Sequence, residues 1–255
     1  MFVHGIYGGE DTFVNTSVSP AFSWPRSIAS TVSGKSVDVY RLEYRTELLA
    51  WSRRNVAELD EVDSTVLPLL TALRGRGYES VNFIAHSLGG NVVQAYLLSV
   101  KNSLGHVARA QHGFVITLGT PVSGAAIANV GLLLKDMLGM PDPLLSALAK
   151  DNTFLRMMRL WSSQTETKAL MLRCRPVRLY AAIETLPVGL IQVVDVKSAR
   201  SSLSQDATFK EFDLNHLQIS RPSSVEDELF RWVEGILKRE FERIEGWLGA
   251  PCRAL

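Results

Sequence analysis

A chain of 255 residues, 46% of them hydrophobic, can bury a full core and fits one large α/β domain better than two small ones. Its 27 basic and 26 acidic side chains leave a net charge of +1, so no electrostatic case exists for nucleic acid or an acidic polymer as partner. Cys174 and Cys252 match no metal or redox spacing and read as free thiols of a reducing compartment. No window approaches the roughly 18 apolar residues of a membrane span, and no basic leader precedes an apolar segment. The expectation is a soluble, cytoplasmic protein, although the brevity of the Phe2-Val3 run leaves room for residues upstream.

Phe2-Val3 begins a buried strand that runs into a glycine-rich loop, His4-Gly5-Ile6-Tyr7-Gly8-Gly9, where backbone comes close to a ligand. His4 reads as a hydrogen-bonded brace of that loop rather than a base. Residues 11–20 are polar and irregular, and Trp24-Pro25 opens a short helix through Ile28 and Val32. Residues 36–44 alternate at period two and predict a strand. Val56, Leu59, Val62, Val66, Leu69, Leu70 and Leu73 recur at three and four, predicting an amphipathic helix closed by Gly75 and Gly77.

The run Val81 to Ala85 then breaks at His86-Ser87 and passes through Leu88-Gly89-Gly90 into a helical pattern. A serine in such a strand-turn-helix elbow needs small neighbours two residues before and after it, which Ala85 and Gly89 supply. The turn directs the Ser87 hydroxyl away from the sheet, and the amide of Leu88 toward whatever bonds to that oxygen. Residues 113–118 form the next strand, ended by Gly119-Thr120-Pro121. Strands alternating with helices predict a mostly parallel sheet with helices on both faces, whose ligands bind at the carboxyl ends of the strands.

Residues 122–172 interrupt the alternation. They read either as a helical cap lining an apolar pocket, with methionines suited to variable chains, or as extra helices packed on the core. Residues 177–183 predict a strand with Glu184 at its end, and Asp195 is a second acid farther on. Thr208 to Leu214 reads as a last strand, followed directly by Asn215-His216-Leu217. From Val225 to Trp247 an apolar stripe predicts a long amphipathic helix.

A lone serine hydroxyl is a poor nucleophile, so it needs a base within reach and an acceptor that orients the base. The chain offers Ser87, an acid at Glu184 or Asp195, and His216, in that order. Of the five histidines only His216 follows a late strand; His106 and His112 lie in a polar link, and His86 points across the turn from Ser87.

Val-His-Gly-Ile at 3–6, Ile-Ala-His-Ser-Leu-Gly-Gly at 84–90 and Leu-Gly-Thr-Pro at 118–121 together resemble the lipase and esterase branch of the α/β-hydrolase superfamily. More narrowly, Glu-Thr-Leu-Pro at 184–187, Val193-Val194 with Ser198-Ala199, and the stretch 213–222 are similar to the serine-active-site-containing group. That group is related to glycosylphosphatidylinositol inositol deacylases. The resemblance implies an α/β-hydrolase fold over 1–255 as a single domain, in which the stretch 122–172 is the candidate helical cap. It also implies Ser87 as nucleophile, His216 as base, and the amides of Ile6 and Leu88 as the oxyanion hole. Related hydrolases carry the acid a few residues before a Val-Val-Pro-like stretch, near Ile191 here, and Asp195 stands where that stretch has proline; Glu184 is therefore preferred to Asp195.

The function so implied is a serine carboxylic-ester hydrolase, without metal or cofactor, acting on a small-molecule or lipid ester with an apolar acyl group. The insertion at 125–149 would make any peripheral membrane contact. An acyltransferase with the same triad and a non-catalytic binding module are the competing readings. Oligomeric state, chain length and head group do not follow from the sequence.

Overall fold

A computed structural model describes residues 1–5, 8–32, 37–44, 68–69, 71–73, 75–78, 80–94, 96–97, 113–121, 126, 129–130, 132–133, 177–194, 196–197 and 207–246. The strands in chain order are β1 (Phe2–Val3), β2 (Val14–Asn15), β3 (Phe22–Ser23), β4 (Arg41–Leu42), β5 (Phe83–His86), β6 (Phe114–Leu118), β7 (Arg178–Glu184) and β8 (Thr208–Phe212). β2 and β3 form a small antiparallel hairpin. The others build one sheet in the order β4-β1-β5-β6-β7-β8, with every pairing parallel.

Both faces of this sheet are covered, which is why its central strands read as continuous apolar runs instead of alternating ones. Every residue of β5 and β6 is buried. On one face Val3, Phe83, Ala85, Val115 and Ile183 pack with Leu88, Val92, Val93, Tyr96 and Leu97 of the helix that follows Ser87. On the other, Phe2, Ile84, Ile116 and Tyr180 meet Trp24 and Ile28 of the helix Trp24–Thr31 and the buried stripe of the long helix Glu228–Glu245. That stripe, Leu229, Val233, Ile236, Leu237, Glu240 and Ile244, follows helical spacing, and the Asp227 side chain caps the helix by accepting the Leu229 amide at 3.0 Å. β8 closes one edge with Lys210 and Glu211, charged side chains that discourage pairing with another chain.

The chain steps outward from β1 to β4 and then returns across β1 to β5, so the strand order reverses between β1 and β5. In a parallel sheet such a switch point opens a crevice at the carboxyl ends of the strands. Ser87 stands at the end of β5, on that edge.

The predicted strand 36–44 pairs only over Arg41–Leu42. Its partner β1 is two residues long and offers two rungs, plus one bond from the Phe2 amide to the Tyr40 carbonyl at 2.7 Å. The stretch expected to be irregular, 11–20, contains β2 and the end of a short 3-10 turn, Glu10–Phe13. Most of the predicted helix 56–73 lies outside the described residues, as do Cys174, Cys252, His106 and His112; residues 68–69 and 71–73 are helical. The same holds for most of the expected cap at 122–172. Its described part is helical, and Ala126, Val130 and Leu133 turn toward the core. Among the described residues no helix is long and apolar enough to cross a membrane.

One buried charge ties the long helix to the sheet. Glu240 is fully buried, accepts the Tyr180 hydroxyl at 2.7 Å and the Arg243 Nε–H at 2.7 Å, and pairs with Arg178 at 3.2 Å. Arg243 also donates to the Gly113 carbonyl at 2.9 Å, at the start of β6. Burial and then Glu240 push the Tyr180 hydroxyl pKa upward, keeping it a donor. Removing the carboxylate would leave the mostly buried Arg243 without its counter-charge. Glu240→Ala is therefore expected to destabilise the fold by about 3–5 kcal/mol, against about 1 kcal/mol for Tyr180→Phe, read from urea midpoints.

Candidate active site

Four strand ends and the loop after β8 meet at the carboxyl edge. Ser87 has φ 53°, a left-handed conformation that a serine adopts only under constraint. Its amide donates to the Leu118 carbonyl at 2.9 Å, and its own carbonyl accepts the Gly90 amide and the Thr120 hydroxyl, each at 3.0 Å. Gly89 lies against β1: a Cβ there would come within 2.7 Å of the Val3 carbonyl and closer still to that of His4. The small residue after the serine is thus required by the approach of the neighbouring strand end.

His216 is carried on a turn built by Asn215. The Asn215 side-chain oxygen accepts the amides of Leu217 and Gln218, each at 3.0 Å, while the Gln218 side chain accepts the Asn215 amide at 3.0 Å. Pairing between β7 and β8 continues past their ends through the Thr185 amide to the Phe212 carbonyl at 3.0 Å and the Leu186 amide to the Leu214 carbonyl at 3.1 Å. The Thr185 hydroxyl adds a bond to Asp213 at 2.8 Å. These bonds hold Glu184 and the loop 213–216 side by side.

The result is a continuous relay. His216 Nε2 lies 2.9 Å from Ser87 Oγ, and His216 Nδ1 lies 2.8 Å from Glu184 Oε1. Ser87, His216 and Glu184 are all buried. A carboxylate can only accept, so Nδ1 carries the proton, and Nε2 is left with a lone pair for the serine O–H. Leu88 opens the helix that follows Ser87, where backbone amides have no intrahelical acceptor. Ile6 and Asp195 lie outside the described residues.

His86 was assigned no part by sequence reasoning. Its Nε2–H donates to the His216 carbonyl at 2.8 Å, and the two rings stand 5.0 Å apart. Burial, followed by repulsion from His216, lowers its pKa to about 3. His86 is therefore a neutral brace on the backbone of His216. His4 is also buried, with Nδ1 bonded to the Gly5 carbonyl at 2.8 Å and its ring stacked on Tyr44. The Tyr44 hydroxyl donates to the His4 carbonyl at 2.5 Å. For His4 this is the loop brace expected from the sequence; for His86 only its place at a strand end hinted at such bracing.

A cavity of about 500 Å³ lined by Met1, Tyr78, Asn82, Phe114 and Ile244 lies at the amino ends of the strands, away from Ser87 and His216.

No family model and no curated protein matches the chain. Solved structures do. A lipase from Bacillus licheniformis, BlEst2, is 16% identical and superposes with a TM-score of 0.56 over 93% of this chain and 89% of its own. A monoacylglycerol lipase from Paleococcus ferrophilus is 13% identical, with a TM-score of 0.52 over 94% and 93%. The Pyrococcus furiosus esterase Pf2001 is 11% identical, with a TM-score of 0.52 over 95% and 79%. The chain has the α/β-hydrolase fold. Within that fold Ser87 occupies the elbow after the strand beside the switch point, and His216 the loop after the edge strand β8.

The neutral His86 has a measurable signature. Its pKa is about 3 when folded and the ordinary 6.5 when unfolded, so the unfolded chain binds more protons between those values and stability falls as pH drops through that window. The slope from this group approaches about 1.4 kcal/mol per pH unit. His86→Gln, which keeps a side-chain N–H donor, is expected to lose less stability than wild type between pH 6.5 and 5 in paired urea titrations.

Proposed function

We propose that the protein is a serine carboxylic-ester hydrolase in which Ser87 is the nucleophile, His216 the general base and acid, and Glu184 the orienting carboxylate. The observation that carries this reading is the unbroken hydrogen-bonded line from Ser87 Oγ through His216 to the buried Glu184. In the first half-reaction His216 Nε2 takes the Oγ proton as Oγ bonds to the ester carbonyl carbon, and the carbonyl π electrons move onto oxygen. The amides of Leu88 and Ile6 would stabilise that oxyanion. Collapse expels the alcohol oxygen, which takes the proton back from Nε2, and leaves an acyl group on Ser87. Water, deprotonated by Nε2, then releases the acid and restores Ser87.

An apolar acyl ester, and a lipid ester in particular, is the proposed substrate class. Support comes from the enzymes of like fold named above as lipases, and from the apolar composition of 125–149, where Leu132 is exposed and would face a lipid surface. The narrower likeness to inositol deacylase-related proteins rests on 184–187, on Val193-Val194 with Ser198-Ala199, and on 213–222; the first and last of these carry Glu184 and His216.

Labelling with a fluorophosphonate tests the assignment. Wild type is expected to label, and Ser87→Ala and His216→Ala are not. Glu184→Gln is expected to lower kcat by about 10³–10⁴-fold with KM within a few-fold. Undiminished labelling of Ser87→Ala would remove the reading, and ester cleavage that occurs only with an added alcohol acceptor would favour an acyltransferase.

A further inference from the structure

The loop after β6 contains a residue whose lack of a side chain is set by the acid across from it. Gly119 follows Leu118 with φ +57°, and its amide donates to the Ala182 carbonyl on β7 at 2.9 Å. That bond presses its Cα against the end of β7. A Cβ built on Gly119 would stand 3.1 Å from His216 Nδ1 and 3.3 Å from Glu184 Cδ, and would overlap Glu184 Oε2. Oε2 itself is buried and finds no hydrogen-bond partner among the described residues.

We infer that Gly119 is a positioning residue matched to the length of Glu184: it leaves the space in which the glutamate side chain places a carboxylate oxygen on His216 Nδ1. The inference rests on the role proposed for the relay. A side chain at 119 would drive the carboxylate off His216, and a displacement of about 1 Å at a catalytic group can cost about a hundredfold in rate. Glu184→Asp withdraws the carboxylate by one C–C bond, about 1.5 Å; it removes the overlap with the acid, leaves the 3.1 Å approach to His216 Nδ1, and is itself expected to lower kcat because the bond to His216 lengthens.

Gly189 supplies an internal control. It too has φ +59°, but a Cβ there would meet nothing within 4 Å, so Gly189→Ala reports backbone strain without a collision. The experiment compares ester turnover, thermal midpoint and the downfield imidazole N–H proton resonance in six proteins: wild type, Gly119→Ala, Gly189→Ala, Glu184→Asp, Gly119→Ala/Glu184→Asp and Gly189→Ala/Glu184→Asp. Gly119→Ala is expected to lower kcat about a hundredfold or more in the wild-type background and only a few-fold in the Glu184→Asp background. Gly189→Ala should change kcat less than a few-fold in both.

The N–H resonance is expected in wild type and Gly189→Ala and displaced in Gly119→Ala, a result that does not depend on turnover. If wild type shows the resonance but cleaves no ester, the hydrolase reading fails while the match between Gly119 and Glu184 stands. Equal losses from Gly119→Ala in the two acid backgrounds, or an unmoved resonance, would overturn the match. Should Gly119→Ala not fold, recovery of folding in Gly119→Ala/Glu184→Asp would support the match, and an equal failure of Gly189→Ala would assign the defect to backbone strain and overturn it.

Discussion

The left-handed backbone of Ser87 is the constraint on which the site depends. A non-glycine residue in that region costs of the order of 1–3 kcal/mol, and it persists only because its surroundings leave no alternative. Here the surroundings are two neighbouring strand ends. The Leu118 carbonyl and the Thr120 hydroxyl hold Ser87 from the β6 side, and the His4 carbonyl crowds Gly89 from the β1 side. The parallel order of the sheet therefore does two jobs with the same contacts: it buries the core strands and forces the serine out of the sheet at its carboxyl edge.

A second constraint is charge. Glu184 and His216 are both buried, and a carboxylate taken out of water needs compensation close by. Oε1 receives it from the imidazole N–H, and the neighbouring His86 stays uncharged. His86 is neutral because burial disfavours its cation, and it spends its one N–H on the His216 backbone. A protonated His86 would set a like charge against any imidazolium formed at His216. Its neutrality thus leaves no second cation beside His216. The Asn215 turn and the extended β7–β8 pairing fix the geometry in which that compensation works.

Much of this architecture was legible from local pattern. The apolar runs that became β5, β6 and β7 were visible because strands buried on both sides lack polar alternation, and the stripe of the long helix stood out because its other face is charged. The elbow at Ser87 was readable because its small neighbours lie nearby in sequence. What could not be read depends on which strand lies beside which. The length of β4 is limited by β1, the bracing of His216 by His86 spans 130 positions, and the need for glycine at 119 arises from a carboxylate on the next strand. Spacing left Glu184 and Asp195 as alternatives; the structure brings Glu184 to His216, while Asp195 lies outside the described residues. The hairpin of β2 and β3 escaped notice because two-residue strands carry no periodicity.

The most direct measurement of the central claim is acid quenching of the enzyme during turnover of a chromogenic acyl ester, followed by mass spectrometry of the intact protein and its peptides. One added acyl group is expected, on the peptide containing Ser87, appearing with the first burst of released alcohol and disappearing as substrate is consumed. Ester turnover without any acylated protein, or with the acyl group on another residue, would contradict it.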